Sequence, residues 1–389
     1  MKILHLCLAS FYIDNYSYQE NMLPKFHKDM GLDVEIIASL VSFDKDGNPN
    51  LLNESGSYIN EYGIPVTRLN YSKKKYSKTL RTYTNTYETI CKTQPDIIFA
   101  HGCQFLDIKH VVKYVKLHPN TRIYVDNHAD FSNSARNFLS KNILHKIIWK
   151  YCAHQIEPYT KKFYGVIPTR VDFLRDVYKL PKEKIELLVM GADDEKVTEA
   201  KDPDIKHEVR NKYNIKNEDL LIITGGKIDK EKRQILDLME AVQKIDYDNL
   251  KLIVFGSVIK ELKDEINKLA DGVKVQYVGW IKSSESYKYF AASDLVVFPG
   301  RHSVLWEQAA GLGIPLIVRH WEGTNHVDLG GNCKFLYGNS VDEIYKLLMS
   351  LINNKDELDH MREIAESEGM KFFSYKDISC RAIEFKEQQ

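Results

Sequence analysis

Short, unbroken apolar runs recur along the chain, with longer segments of helical period between them. In the first half they predict strands over residues 2–9, 34–39, 66–70, 96–101, 122–127 and 164–168. In the second half they predict strands over 220–225, 251–256, 273–278, 295–299, 315–318 and 334–336. Most are continuous Val, Ile, Leu and Phe rather than alternating apolar and polar residues, as parallel strands covered on both faces require. Residues 236–244 and 283–292 carry apolar positions at helical spacing. Strand, helix, strand repeated in this order predicts right-handed crossovers on a parallel sheet, the α/β class. The alternation pauses over 191–216, where Gly191-Ala192-Asp193-Asp194-Glu195 and Lys201-Asp202-Pro203-Asp204 are polar and lack an apolar period. That stretch reads as a linker, and the chain as two doubly wound, Rossmann-like domains in tandem with a cleft between them.

A length of 389 residues gives each domain enough chain to bury its own core. The 54 Lys and Arg balance the 54 Asp and Glu, so no general field draws nucleic acid, and none is expected as a partner. No apolar run approaches a membrane span in length. Residues 1–9 look superficially like a leader but run directly into Ser10-Phe11-Tyr12-Ile13-Asp14, with a short apolar core and no small-residue cleavage site. They read as the first strand of a cytoplasmic protein. Six scattered cysteines without a C-x-x-C pair argue against a disulfide framework or a zinc site, and suit a reducing compartment. The densest charge run, Lys73-Lys74-Lys75-Tyr76-Ser77-Lys78, reads as a solvated loop.

In open α/β sheets ligands bind beyond the carboxyl ends of the strands, so the residues there carry the candidate chemistry. After strand 220–225 the chain turns at Gly225-Gly226 and enters a cationic loop holding Lys227 and Lys232. Glycine lets backbone N–H groups approach a phosphate, and the two lysines could reach one anion; a charged surface loop is the plain alternative. The pattern is neither G-x-G-x-x-G nor a P-loop. After strand 295–299 a short loop, Gly300-Arg301-His302-Ser303, leads into a helix with Ser303 as the expected N-cap. The N–H groups at Ser303 and Val304 would then offer a second anion site. Glu307, a turn inside, either accepts from a pair of sugar hydroxyls or faces solvent. In the first half, His128 follows a strand and precedes Ala129-Asp130, and His101 also ends a strand. Each is a candidate for hydrogen bonding or proton transfer, or a satisfied structural histidine.

These pieces occur in one order: Lys227-x4-Lys232 after Gly-Gly, Val278-Gly279-Trp280-Ile281, Ser293-Asp294 before a Val-rich strand, then Glu307-Gln-Ala-Ala-Gly-x-Gly-Ile-Pro315. The order resembles the donor half of the GT-B glycosyltransferases, in particular the large retaining family with an E-x7-E motif. The likeness extends to Asp96–His101–Gly102 and Asp126-Asn127-His128 in the first half, and to Phe372-Phe373-Ser374-Tyr375, where that family crosses back to its first domain. It implies a GT-B fold with an acceptor domain over 1–190, the linker over 191–216, a nucleotide-sugar domain over 217–368 and a returning helix over 369–389. It further implies that Lys227 and Lys232 neutralise a diphosphate, that Glu307 binds ribose hydroxyls, that the loop at Ile281 reads the base, and that His128 reaches the transferred sugar. Gly225, Gly226, Arg301, His302, Ser303 and Val304 complete the expected donor site. Two departures stand out. Pro299 occupies the place of the first Glu, leaving Arg301 or His302 as substitutes, and Tyr16-Ser17-Tyr18 replaces the usual Gly-Gly of the N-terminal loop. Tyr16, Tyr18, His101 and Asp130 form the expected acceptor site.

The activity implied is transfer from a nucleotide-diphosphate sugar, a UDP-sugar first, to a glycan or lipid-linked acceptor in surface polysaccharide or glycolipid assembly, with retention. A nucleotide-sugar epimerase or hydrolase on the same frame, or a non-catalytic binding protein, stays open beside it. Fixed cations and N–H dipoles would stabilise the leaving diphosphate, so neither a metal nor another cofactor is expected. Asp202-Pro203-Asp204 has D-x-D spacing but lies in the linker. Peripheral contact with the inner face of a membrane stays open through residues 73–78. In residues 136–150 the cations Arg136, Lys141, Lys146 and Lys150 do not share a face at about 100° per residue, so that segment reads as a helix buried among neighbours.

Overall fold

The computed structural model describes residues 1–43, 49–338 and 340–385. The chain divides into two compact units, Met1–Met190 with Lys376–Gln389, and Gly191–Tyr375.

The first unit is built on Lys2–Cys7 (β1), Asp33–Ala38 (β2), Val41–Phe43 (β3), Pro49–Leu51 (β4), Gly56–Ile59 (β5), Pro65–Arg68 (β6), Ile97–His101 (β7), Arg122–Asn127 (β8), Thr160–Gly165 (β9) and Ile185–Leu187 (β10). Its main sheet runs β10-β9-β8-β7-β1-β2-β6-β5, and only β5 pairs antiparallel. β3 and β4 form a separate antiparallel pair. β1, β7 and β8 are buried nearly throughout, which is why each reads as a solid apolar run. β5 is exposed along its length, so nothing in its pattern announces a strand. The strand expected at 164–168 begins earlier and stops at Gly165, because Pro168 opens a helix instead (Pro168–Asp176).

The second unit carries Leu220–Gly225 (β11), Leu250–Phe255 (β12), Val275–Gly279 (β13), Leu295–Phe298 (β14), Leu316–Arg319 (β15) and Cys333–Leu336 (β16). They form one all-parallel sheet in the order β13-β12-β11-β14-β15-β16. The order reverses between β11 and β14. In open sheets of this kind ligands bind beyond the carboxyl ends of the strands at such a reversal. Residues 191–216, expected as linker, hold the helices Asp194–Ala200 and Pro203–Lys212, which belong to this unit. Their polarity reflects capping: Asp193 accepts from Glu195 N–H, and Asp202 from Asp204 N–H. The D-x-D pair is thus a helix start.

The segment at 136–150 is not buried among neighbours. It winds as a π-helix over Leu139–Trp149, continuing as Lys150–Ile156. Only His145 and Trp149 of the π segment are buried, while Phe138, Leu139, Ile143, Ile147 and Tyr151 are exposed. Bonding from i to i+5 turns each residue by less than the α-helical angle. Residues 139, 143, 147 and 151 therefore fall into one apolar row, and Lys141 and Lys146 stack about a turn apart. The 100° wheel scattered positions that this winding groups.

Candidate active site

At the reversal in the second sheet, β11 and β12 end in adjacent glycine turns. Gly226 has φ +112° and Gly256 φ +129°, the left-handed region that favours glycine. A Cβ on Gly256 would lie 1.8 Å from the Gly226 carbonyl oxygen, so the two turns approach as closely as backbone allows. Gly226 N–H donates to the Phe255 carbonyl at 3.1 Å and Ile228 N–H to that of Ser257 at 2.7 Å. This packing steers the chain after Ile228 back across the end of β14. There Lys232 lies against Gly300, whose added Cβ would meet the Lys232 Cα, Cβ and Cγ at 3.3 Å. The Lys232 Nζ would be 3.5 Å from a Cβ on Gly226, beside Leu305 at 3.4 Å. Gly226, Lys232, Gly300 and the start of helix Leu305–Leu312 therefore converge.

Lys232 has no hydrogen-bond or ion-pair partner among the described residues, and desolvation holds its ammonium below the ordinary lysine value, only partly offset by Asp229. Lys227, partly exposed in the same loop, is also unpaired. Arg301 is not: its guanidinium is 2.9 Å from Glu231, tying the Gly300 loop to the Lys232 loop. Ser303 does not cap the helix. Val304 is the capping position, without a side-chain bond, and Ser303 instead accepts from Trp306 N–H through its carbonyl. Ile281 follows the end of β13 and is half-buried. Asp294, part of the recurring order, is a brace, accepting from Leu221 N–H at 2.9 Å and Arg210 at 3.2 Å.

Glu307 does not face solvent; it is wholly buried. Its Oε1 accepts from His302 Nε2 at 2.7 Å and His326 Nε2 at 2.8 Å. Burial alone would raise its pKa, but the two imidazoles outweigh burial and hold it at about 2. Its Oε2 is enclosed and has no donor among the described residues. A carboxylate fixed in the ionised state with one oxygen unsatisfied is built to receive a hydroxyl or N–H. His326 went unnoticed in the sequence because it lies 19 positions from Glu307, beyond any helical or strand period.

In the first unit, His128 Nε2 lies 3.3 Å from Asp126 Oδ2 and 3.8 Å from Glu20 Oε1. Enclosure lowers its basicity, yet Glu20 and Asp126 together raise its pKa above the ordinary value. Gln19, at the start of helix Gln19–Asp29, is fully buried with neither amide atom partnered; the sequence carried no signal for it. Tyr16 and Tyr18 stand ring to ring at 5.2 Å just before that helix, and Tyr16 also meets Phe43. Two residues expected at the acceptor site are interior instead. Asp130 spends Oδ1 on Ser132 and Asn133 and Oδ2 on Arg170 at 3.2 Å, holding its own loop. His101 is completely buried, with Nδ1 on Asp126 at 2.8 Å and Nε2 on His5 at 3.0 Å, so no acceptor can touch it.

Among the described residues, two groups have metal-ligand types within 4.8 Å of one another, Glu20–His101–His128 and His302–Glu307–His326. The first lacks a free nitrogen on His101. In the second both Nε2 hydrogens are already committed to Glu307, and a cation would have to displace them. Neither fits a metal as arranged.

Residues 205–368 match the family model described as glycosyl transferases group 1. No relative is found among the curated proteins. Among solved structures, the chain is similar to a glycosyltransferase from Rickettsia africae (15% identity, TM-score 0.70, 98% of this chain and 97% of that one). It is also similar to HepE of Anabaena in complex with UDP (13%, 0.69, 99% of each). A third is WaaG, a glycosyltransferase involved in lipopolysaccharide biosynthesis (13%, 0.68, 99% of this chain and 100% of that one). The fold is thus that of the GT-B glycosyltransferases, and residues 205–368 carry the match to the group 1 glycosyl transferase domain.

Proposed function

We propose that this chain, with a group 1 glycosyltransferase domain over 205–368, moves a sugar from a nucleotide-diphosphate donor, a UDP-sugar first, to a glycan or lipid-linked glycan in surface polysaccharide or glycolipid assembly. The observation that carries the reading is Lys232, a desolvated ammonium with no ion-pair partner at the strand-order reversal, between Gly226, Gly300 and a helix start. A cation in that state is stabilised by an anion, and a diphosphate supplies one that can also take the N–H groups of the glycine turn. Lys227 is the second cation. Glu307 Oε2 receives a ribose hydroxyl, and the backbone around Ile281 meets the base. As the sugar–phosphate bond breaks, charge grows on the leaving diphosphate, and these fixed groups stabilise it without a metal. His128, supported by Asp126 and Glu20, contacts the transferred sugar, with Gln19, Tyr16 and Tyr18 lining the acceptor side. Retention follows the family likeness.

A membrane-bound acceptor fits the first unit. The exposed row Leu139, Ile143, Ile147 and Tyr151, with Phe138 and flanked by Lys141 and Lys146, supports peripheral contact with an anionic lipid surface. Residues 73–78 add exposed lysines.

The test is calorimetry with UDP and UDP-sugars on the wild type and Lys232→Ala. Losing a charge-assisted contact costs roughly 1.5–3 kcal/mol, or about ten- to a hundredfold in Kd, with the melting temperature unchanged or higher because an unpaired ammonium is removed. Equal affinity in both proteins would refute the assignment. Release of nucleotide without a new glycoside, across acceptors, would point to a hydrolase instead.

A further inference from the structure

The first unit holds a row of buried imidazoles that the proposed transfer does not use. His5 lies in β1, His101 ends β7 and His27 is on helix Gln19–Asp29; all three are fully buried. The Ser379 carbonyl oxygen, on helix Tyr375–Ala382, is 3.0 Å from His27 Nε2. His27 Nδ1 is 3.0 Å from His5 Nε2, His5 Nδ1 is 3.0 Å from His101 Nε2, and His101 Nδ1 is 2.8 Å from Asp126 Oδ2. Each of these four contacts needs one hydrogen. The carbonyl can only accept, and so can an ionised carboxylate. Three neutral imidazoles supply three N–H hydrogens, leaving one contact with two lone pairs face to face in a dry interior, where that is most unfavourable. We infer that the row binds a fourth proton, making His101 a buried imidazolium paired with Asp126, and that His101 thereby acts as a positioning residue that sets the charge felt by His128.

The proton belongs at His101 because the Asp126 carboxylate touches that ring and lies two rings away from His27. Asp126 itself stays ionised: burial would raise its pKa, but His101 and His128 hold it below the ordinary range. Burial likewise keeps His5 and His27 neutral, His27 at about 4. Both then carry the hydrogen on Nε2 and accept at Nδ1. Beside the row stand Phe99, apolar, against His5 and His101, and the Glu20 carboxylate and the His128 ring, whose ligand atoms lie within 4.8 Å of a His101 nitrogen. Glu20 and Asp126 flank His128, and Arg170 opposes its protonation. With His101 cationic, the Asp126 oxygen that both rings contact is already paired and draws less on His128. Without that cation the full carboxylate would face His128 and raise its pKa. The link to catalysis rests on the reading of His128 above; the proton count does not.

The experiment is a long-range 1H–15N spectrum of the full chain with 15N-labelled histidine, between about pH 6 and 9. Assignments come from His5→Phe, His27→Phe and His101→Asn. At about pH 8, well above the ordinary histidine pKa, His101 is expected to keep both nitrogens protonated, and His5 and His27 to show only Nε2–H. A neutral His101, or Nδ1–H tautomers at His5 and His27, would overturn the inference. Should the variants not fold, the wild-type spectrum still decides, because absence of any imidazolium signal at that pH overturns it too. In His101→Asn the His128 midpoint should rise by about one pH unit; an unchanged midpoint overturns the positioning role. If both spectra come out as expected while no sugar transfer is found, the reading of His128 fails and the proton count stands.

Discussion

Replacing Glu307 with Gln keeps the shape of the side chain and removes only its charge. The carboxyl is held at about 2 against an ordinary 4.5, a preference for the ionised form on the order of 3 kcal/mol. Gln can still accept from His302 and His326, but through neutral bonds, so roughly 2–3 kcal/mol should be lost near pH 7. For a unit of this size that lowers the melting temperature by about 5–10 °C. The pH dependence gives the sharper check. A carboxylate with a depressed pKa contributes its full stability above the unfolded value and loses it as pH falls toward the folded one. The gap between wild type and Glu307→Gln should therefore be widest above about pH 5 and close between 4.5 and 2. Thermal melts followed by circular dichroism at about pH 7 and 3.5 measure both points. A gap that stays constant with pH would mean that His302 and His326 do not hold the charge, and the account of the site would be wrong. The same variant should weaken UDP binding and leave pyrophosphate binding unchanged; equal loss of both would remove the ribose role.

Gly256→Ala forces a Cβ to within 1.8 Å of the Gly226 carbonyl at φ +129°, so the paired turns must separate; stability should fall by at least 2 kcal/mol and UDP affinity with it, and a variant with wild-type melting and binding would contradict the close approach. Ile143→Asp with Ile147→Asp places two charges in the exposed row. Flotation with anionic vesicles should fall at least tenfold while UDP affinity stays the same, and undiminished flotation would exclude this helix as the membrane contact.

The strands could be read directly because a parallel strand buried on both faces must be apolar at every position. Residues 122–127 and 220–225 coincide with β8 and β11. β5 and β10 could not, since one is exposed and the other is three residues long. In the second unit, Lys232 and Glu307 were legible as chemistry at strand ends, each beside a glycine turn or a helix start. What Glu307 touches was not, because His326 reaches it from a loop after another strand. His101 misled for the converse reason: a histidine at a strand end reads the same whether it opens to a ligand or points into the interior.

Sequence alone determined the alternation, the class of fold and the residue types available at each strand end, since these depend on local period and turn chemistry. The tertiary structure alone decided which of those groups keep an unsatisfied charge or lone pair. Lys232 is left without a partner among the described residues while Arg301 finds Glu231, and three histidines distant in sequence come to share one row. Pairing depends on distance between segments, and that is set only when the sheets order their strands.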